Sequence, residues 1–363
     1  KRFFNQLFGG RNEWATVGEL LSVLLNNSMY TYKVAGPMVH IEKETIAQLC
    51  ALTGYEDQKS GGTFAPGGSI SNLMALLMAR DKAAPQCRQE GVQEPLVMYS
   101  SSESHYSILK NASFAGIGKK RVRLIPVNER GEMDTRALKS SIQEDKKAGF
   151  HPFLINATAG TTVLGAFDDL KACAKIAQDE GLWLHVDGAY CGPVLFSDTY
   201  KSLLEGVSLS DSFCLNPHKM LNTPLSCSAL VVREKKYLYQ SFANEADYLY
   251  QTHGDEFNLG KISMQCGRRN EALKFWSLWK AKGTNGLGQM VDHLFDLANH
   301  ARSYVKQHPD YSLYSFDPSI SVCFNYKNVD AEKLCRVLYE EGKLMVGYGQ
   351  FRGKTFVRLV LVN

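Results

Sequence analysis

The chain has 363 residues, 41 basic against 37 acidic for a net charge of +4, with 44% hydrophobic and 21% charged residues. That length exceeds a single compact core and suits a large domain beside a smaller one. The near balance of charge argues against nucleic acid or a membrane surface as partner, the composition is that of an ordinary soluble enzyme, and no run of about 18 apolar residues is present to span a bilayer.

Residues 11–60 read mainly as helices, with helical apolar spacing over 19–25 and 41–52. A glycine-rich turn over 61–72 then feeds a helix at 69–83, where Ile70, Leu73, Met74 and Leu77 share a face. Strand-like runs follow at 96–99, 122–127, 153–156, 182–187, 213–215 and 228–232, with helical segments between them at 104–114, 135–147 and 168–180. Alternating β and α with fully apolar strands predicts a mostly parallel sheet covered on both faces. Two helices over 269–282 and 287–306 lead into short strands around a helix at 331–341, a small α+β unit. The expected organisation is an N-terminal helical segment (1–60) whose apolar faces something must cover, a large domain (61–282) and a small C-terminal domain (283–363). The nine cysteines are odd in number and never spaced C-x-x-C, and several lie in apolar runs. They read as reduced core thiols of a cytoplasmic protein.

Ligands of a parallel sheet collect at the carboxyl ends of its strands. Asp187 ends one such run, Asn216-Pro217-His218-Lys219 follow another, and Thr158 follows a third. Each alone is an ordinary turn or cap residue; their joint placement points to a site. An acid at the end of a buried strand, followed by one lysine in a proline-held turn, suits pyridoxal phosphate. The lysine would form the imine with the cofactor aldehyde, and the acid would keep the pyridine nitrogen protonated. Apolar neighbours on both sides of Lys219 lower a lysine pKa and favour the nucleophilic amine. The glycine-rich turn before residues 69–72 offers helix-start amides to a phosphate. It lacks the lysine of a nucleotide P-loop, because Gly68 follows Gly67. His105 follows the strand at 96–99 and could lie against a pyridinium. His185, Asp187 and His218 could in principle hold zinc, but the alternation of the first two with apolar residues on a buried strand argues for no metal.

Residues 2–7, 30–32, 66–72, 104–107, 156–168, 182–189, 216–220, 265–269 and 347–348 together resemble, in order along nearly the whole chain, the group II pyridoxal-phosphate-dependent amino-acid decarboxylases. The resemblance is nearest to those acting on glutamate, cysteine sulfinate and aspartate. It implies an α/β fold of the pyridoxal-phosphate-dependent transferase type (aspartate aminotransferase type I), and a homodimer with the site at the subunit interface, which makes 1–60 a dimerisation segment. It further implies that Lys219 carries the Schiff base, Asp187 pairs with the pyridinium, His105 stacks on the ring and Ala189 packs beneath it. Thr158 would lie near the ring, and Ser69, Ile70, Ser71 and Asn216 would hold the phosphate. His218 would touch the cofactor and assist proton transfer. Arg358 would grip the substrate α-carboxylate, and Phe4 and Gln6 would line the substrate pocket.

The chain also departs from that pattern. The family's proton donor is a tyrosine on a mobile loop, whereas the region 248–261 is shorter here and places Phe257 near that position. Either further loop residues belong there, or His253 or His218 is the donor. Lys33, Gly36, Tyr190, Cys191 and the stretch 222–225 are atypical and bear on the side chain accepted. The expected reaction is decarboxylation of an acidic amino acid. The alternatives are an aromatic or diamino acid decarboxylase, another lyase or aminotransferase of the same fold, or a non-catalytic binder of the cofactor.

Overall fold

The computed structural model describes residues 2–8, 10–244 and 255–362. In chain order the first elements are β1 (Phe3–Phe4), α1 (Glu13–Leu25), α2 (Tyr32–Ala35) and α3 (Met38–Thr53). Next come β2 (Gly61–Ala65), α4 (Gly68–Ala83), α5 (Cys87–Glu90), β3 (Leu96–Ser101), α6 (Ser107–Phe114), β4 (Val122–Ile125), α7 (Thr135–Lys147) and β5 (His151–Thr158). Then follow α8 (Leu170–Glu180), β6 (Trp183–Gly188), β7 (Ser212–Leu215), β8 (Ser228–Val232) and α9 (Lys236–Phe242). The last are α10 (Glu271–Gln307), β9 (Tyr311–Leu313), β10 (Ser321–Tyr326), α11 (Ala331–Glu340), β11 (Met345–Phe351) and β12 (Lys354–Val360).

Seven strands form one sheet in the order β2-β8-β7-β6-β5-β3-β4. Every pairing from β7 through β4 is parallel, while β8 runs antiparallel to both β7 and β2. All residues of β3, β6, β7 and β8 are buried, because helices cover both faces of the sheet. Side chains alternate between those faces. Leu184, Val186, Phe213 and Leu215 join a core with Leu49, Ile142, Cys173 and Phe275 from α3, α7, α8 and α10. Trp183 and Cys214 face the other way, into a core with Met74, Ile108 and Leu238 from α4, α6 and α9. The connecting helices begin at side-chain caps that satisfy their free amides. Asp134 accepts from the amides of Arg136 and Ala137 before α7, and Asp169 from Ala172 N before α8.

The remaining five strands form a second sheet, β1-β11-β12-β10-β9, antiparallel except for the short β1 beside β11. Two elements differ from expectation. Residues 61–65, read as part of a glycine-rich turn, are an edge strand paired with β8, and four of the five are buried. Two glycines depress strand propensity locally, and pairing with an apolar neighbour overrides it. The two expected helices after residue 269 run on as α10, interrupted only at Gly283 (φ 68°, ψ 170°), a left-handed conformation that glycine tolerates. Among the described residues no helix is long and apolar enough to cross a membrane.

Candidate active site

The parallel register brings the functional strand ends side by side. Thr158 on β5 pairs with Asp187 on β6, which pairs with Cys214 on β7. Beyond β7 the chain turns at once: Lys219 N donates to Asn216 O (3.0 Å) and Leu221 N to Pro217 O (3.2 Å). The start of α4 closes in from the side. A Cβ on Gly68 would sit 2.8 Å from Ala189 Cβ and 3.0 Å from Asn216 Nδ2, so only glycine permits that approach. Between these elements lies a cavity of about 220 Å³. Ser69, Asn72, His105, Thr158, Asp187, Ala189, Asn216, His218 and Lys219 line it, together with Phe8, Gly68, Gly160, Thr162, Tyr190 and Leu225.

The charges in this cavity are strongly conditioned by burial. Desolvation lowers the Lys219 ammonium pKa, partly offset by the Asp187 carboxylate, so more of the amine is free to attack. Lys219 Nζ lies 5.9 Å from the Tyr190 ring centroid. Asp187 accepts from Asn72 Nδ2 (2.7 Å) and from Ala189 N (3.0 Å). His105 is lowered by burial and kept neutral, with Nδ1 2.7 Å from Ser107 Oγ. Burial also pushes His218 down to about 4. Its Nδ1 sits against the Cys227 backbone, 2.6 Å from the carbonyl oxygen and 3.0 Å from the amide nitrogen. Its Nε2 lies 3.5 Å from Asn216 Nδ2.

Not every sequence-predicted residue reaches the cavity. Ile70 packs half-buried against the α4 side of the core, and Ser71 Oγ is 2.7 Å from Ser228 Oγ. Phe4 packs in the second sheet, and Gln6 is exposed. Arg358 stands at the border, with Nη1 donating to Thr162 O (2.6 Å) and Nη2 to Asn5 O (2.9 Å). Sequence reasoning missed Asn72, one helical turn beyond Gly68 in the same motif. It also missed Phe8, for which no local signal exists, whereas Leu225 belongs to the atypical stretch 222–225. Residues 245–254, which hold Tyr248 and His253, lie outside the described residues. Phe257 packs near Tyr32, His40 and Lys43, at ring-centroid distances of 5.5 Å and 5.2 Å and with Lys43 Nζ 4.1 Å from its centroid.

The cavity fits pyridoxal phosphate on its own chemistry. Thr158 Oγ1 and Asn216 Oδ1 are buried without a hydrogen-bond partner in the protein. The first amides of α4 lack intrahelical partners by helix geometry, which suits a phosphate. A desolvated amine and a carboxylate share the same space. A zinc site at His185 would break its existing contacts, because Nδ1 lies 2.9 Å from Ser212 Oγ and Nε2 3.0 Å from Asn72 Oδ1.

Comparison with known proteins agrees with this geometry. The pyridoxal-dependent decarboxylase conserved domain matches residues 1–327. Human cysteine sulfinic acid decarboxylase is 40% identical over 389 aligned positions, covering all of this chain and 78% of the human protein. An acidic amino acid decarboxylase of Xenopus tropicalis is 35% identical, covering all of this chain and 75% of that protein. The crystal structure of mouse CSAD superposes with a TM-score of 0.94 at 37% identity, covering all of this chain and 80% of the mouse chain.

Proposed function

The chain belongs to the pyridoxal-dependent decarboxylases, and on that premise we propose that it removes CO2 from an acidic amino acid of the cysteine sulfinate, aspartate or glutamate type. The observation that carries this reading is the desolvated Lys219 amine and the Asp187 carboxylate in one cavity at adjacent strand ends. Pyridoxal phosphate, when bound, supplies an aldehyde for the amino group and a ring that takes up the electron pair left by CO2.

In this reading Lys219 would hold the cofactor through its uncharged amine, and Asp187 would stabilise the charge of the ring nitrogen. His105 and Ala189 would pack on the ring, with Thr158 near it. Ser69 and the α4 amides, with Asn216, would hold the phosphate. Arg358 is oriented by two carbonyls and keeps a buried Nε without a partner, so it retains a donor for the substrate α-carboxylate. His218, kept neutral by burial beside Lys219, assists the transfer of the proton from the incoming ammonium group. Among the described residues Asp187 is the only acid lining the cavity, which suits an anionic substrate side chain.

A second copy of the chain completes the assembly in this reading. One side of α1 exposes Trp14, Val17, Leu20, Leu21, Leu24 and Leu25, with Leu24 79% exposed. A continuous apolar face of that kind suits an interface. Sedimentation should show a dimer that Leu24→Glu dissociates; a monomeric wild-type holoenzyme refutes it. The nine unpaired cysteines, eight of them buried, suit a reducing compartment, and we place the enzyme in the cytoplasm.

The deciding experiment reduces the holo-protein with borohydride and maps the pyridoxyl group, then measures CO2 release across amino acids. Label on Lys219 and turnover of the acidic substrates support the reading. Turnover of tryptophan or tyrosine alone overturns the acidic assignment, and an unlabelled Lys219 overturns the site.

A further inference from the structure

Alternation along β6 turns Trp183, His185 and Asp187 toward the same face, and β7 sets Ser212 and Cys214 beside the last two. Helix α4 lays Asn72 across them. Trp183 Nε1 donates to Ser212 Oγ (2.9 Å), and Ser212 Oγ lies 2.9 Å from His185 Nδ1. His185 Nε2 lies 3.0 Å from Asn72 Oδ1, and Asn72 Nδ2 donates to Asp187 Oδ2 (2.7 Å). All five side chains are buried, so water competes for none of these contacts.

Each link has one consistent direction. An ionised carboxylate only accepts, so Asn72 must present its NH2 to Asp187 and its oxygen to His185. Cys214 Sγ lies 3.2 Å from that same Asn72 oxygen and 3.7 Å from Asp187 Oδ1, so its one proton serves an acceptor in either place. His185 therefore carries its proton on Nε2. Neutral, as burial requires of it, the ring offers Nδ1 as acceptor, and Ser212 donates there. Ser212 then accepts from the indole, which can only donate. Were Asp187 protonated, it could donate to Asn72 and reverse the chain. Two donors would then converge on Ser212 Oγ, leaving its own proton unplaced at this junction. The donor-only indole thus opposes the reversed state.

We propose that Trp183, Ser212, His185 and Asn72 are positioning residues: a directed hydrogen-bond chain anchored on the Trp183 indole that holds Asp187 as an oriented carboxylate toward the cofactor's ring nitrogen. This rests on the cavity reading given above. The test compares His185→Leu with His185→Gln in the holoenzyme. Glutamine keeps a donor for Asn72 and an acceptor for Ser212, while leucine keeps bulk alone. His185→Leu should lower kcat by about tenfold to a hundredfold, leave KM within about twofold, and weaken pyridoxal phosphate binding by about tenfold in a direct fluorescence titration, the loss of one buried link. His185→Gln should recover most of both, and Trp183→Phe should fall between. Should His185→Leu fail to fold, Ser212→Ala replaces it with the same expectation. Leucine and glutamine variants that behave alike, whether as wild type or equally impaired, overturn the proposal. An unlabelled Lys219 in reduced wild type would instead overturn the site reading on which it rests.

Discussion

Acidification should expose the buried state of His185 directly. Burial, the largest cause, pushes His185 from 6.5 to about 4 in the folded chain. The unfolded chain takes up this proton near the ordinary value, so between these values it binds more protons than the folded chain does. The contribution to stability is therefore complete above the unfolded pKa and is lost as pH falls toward about 4. Taking 1.36 kcal/mol per unit, His185 should cost the fold about 2 kcal/mol between about pH 7 and pH 5. His218, also pushed down to about 4, adds a similar loss. Asp168, raised to about 6 by burial, works in the opposite direction. His185→Gln removes only the first of these, so the others cancel in the difference. The assay is urea unfolding of the apoprotein at fixed protein concentration across that pH range, for wild type and His185→Gln. The wild type should lose about 2 kcal/mol more than the variant on acidification. Equal pH dependence in both proteins would refute the claim that folding strips His185 of its proton.

Three further outcomes test the surrounding construction. Gly68→Ala should destabilise the fold by about 1–3 kcal/mol despite alanine's better helix propensity, because its Cβ meets Ala189 Cβ at 2.8 Å; thermal unfolding and cofactor titration both read it. Arg358→Lys should raise KM for an acidic substrate about tenfold or more, since a lysine cannot hold two carbonyls and still offer a planar donor pair; unchanged initial-rate kinetics would remove Arg358 from substrate binding. Arg268→Ala removes the cation that holds buried Glu42 through two bonds of 2.8 Å and 2.7 Å, leaving the charge only the longer contacts from Phe64 N and Thr63 Oγ1. That change should cost about 3–5 kcal/mol in urea unfolding, largely recovered by adding Glu42→Leu.

Several features of the site are local properties of the chain and can be read as such. The alternation Trp183-Leu184-His185-Val186-Asp187 announces a strand with polar groups on one face. A lysine placed two residues after Pro217 and flanked by apolar runs announces an amine in unusual surroundings. His105 and Thr158 follow from their positions just past predicted strands. Other features resist that reading. Ser71 sits in the phosphate-like motif, yet its hydroxyl meets Ser228 on β8, a strand 157 residues away. Phe8 looks like any apolar residue in a loop, and nothing in its neighbourhood marks it as a cavity wall.

Residue types, spacing and alternation were enough to point to the mixed parallel sheet, to a lysine and an aspartate at neighbouring strand ends, and to the kind of cofactor such a pair suits. These depend on short-range backbone preference and on the functional groups of the residues, which travel with the chain wherever it goes. Which side chains meet is another matter. Asn72 reaches Asp187 across 115 positions only because α4 covers the face that β6 and β7 share. That contact, and with it the orientation of the carboxylate, follows from burying two faces of one sheet at once, a condition imposed by the whole chain rather than by any segment of it.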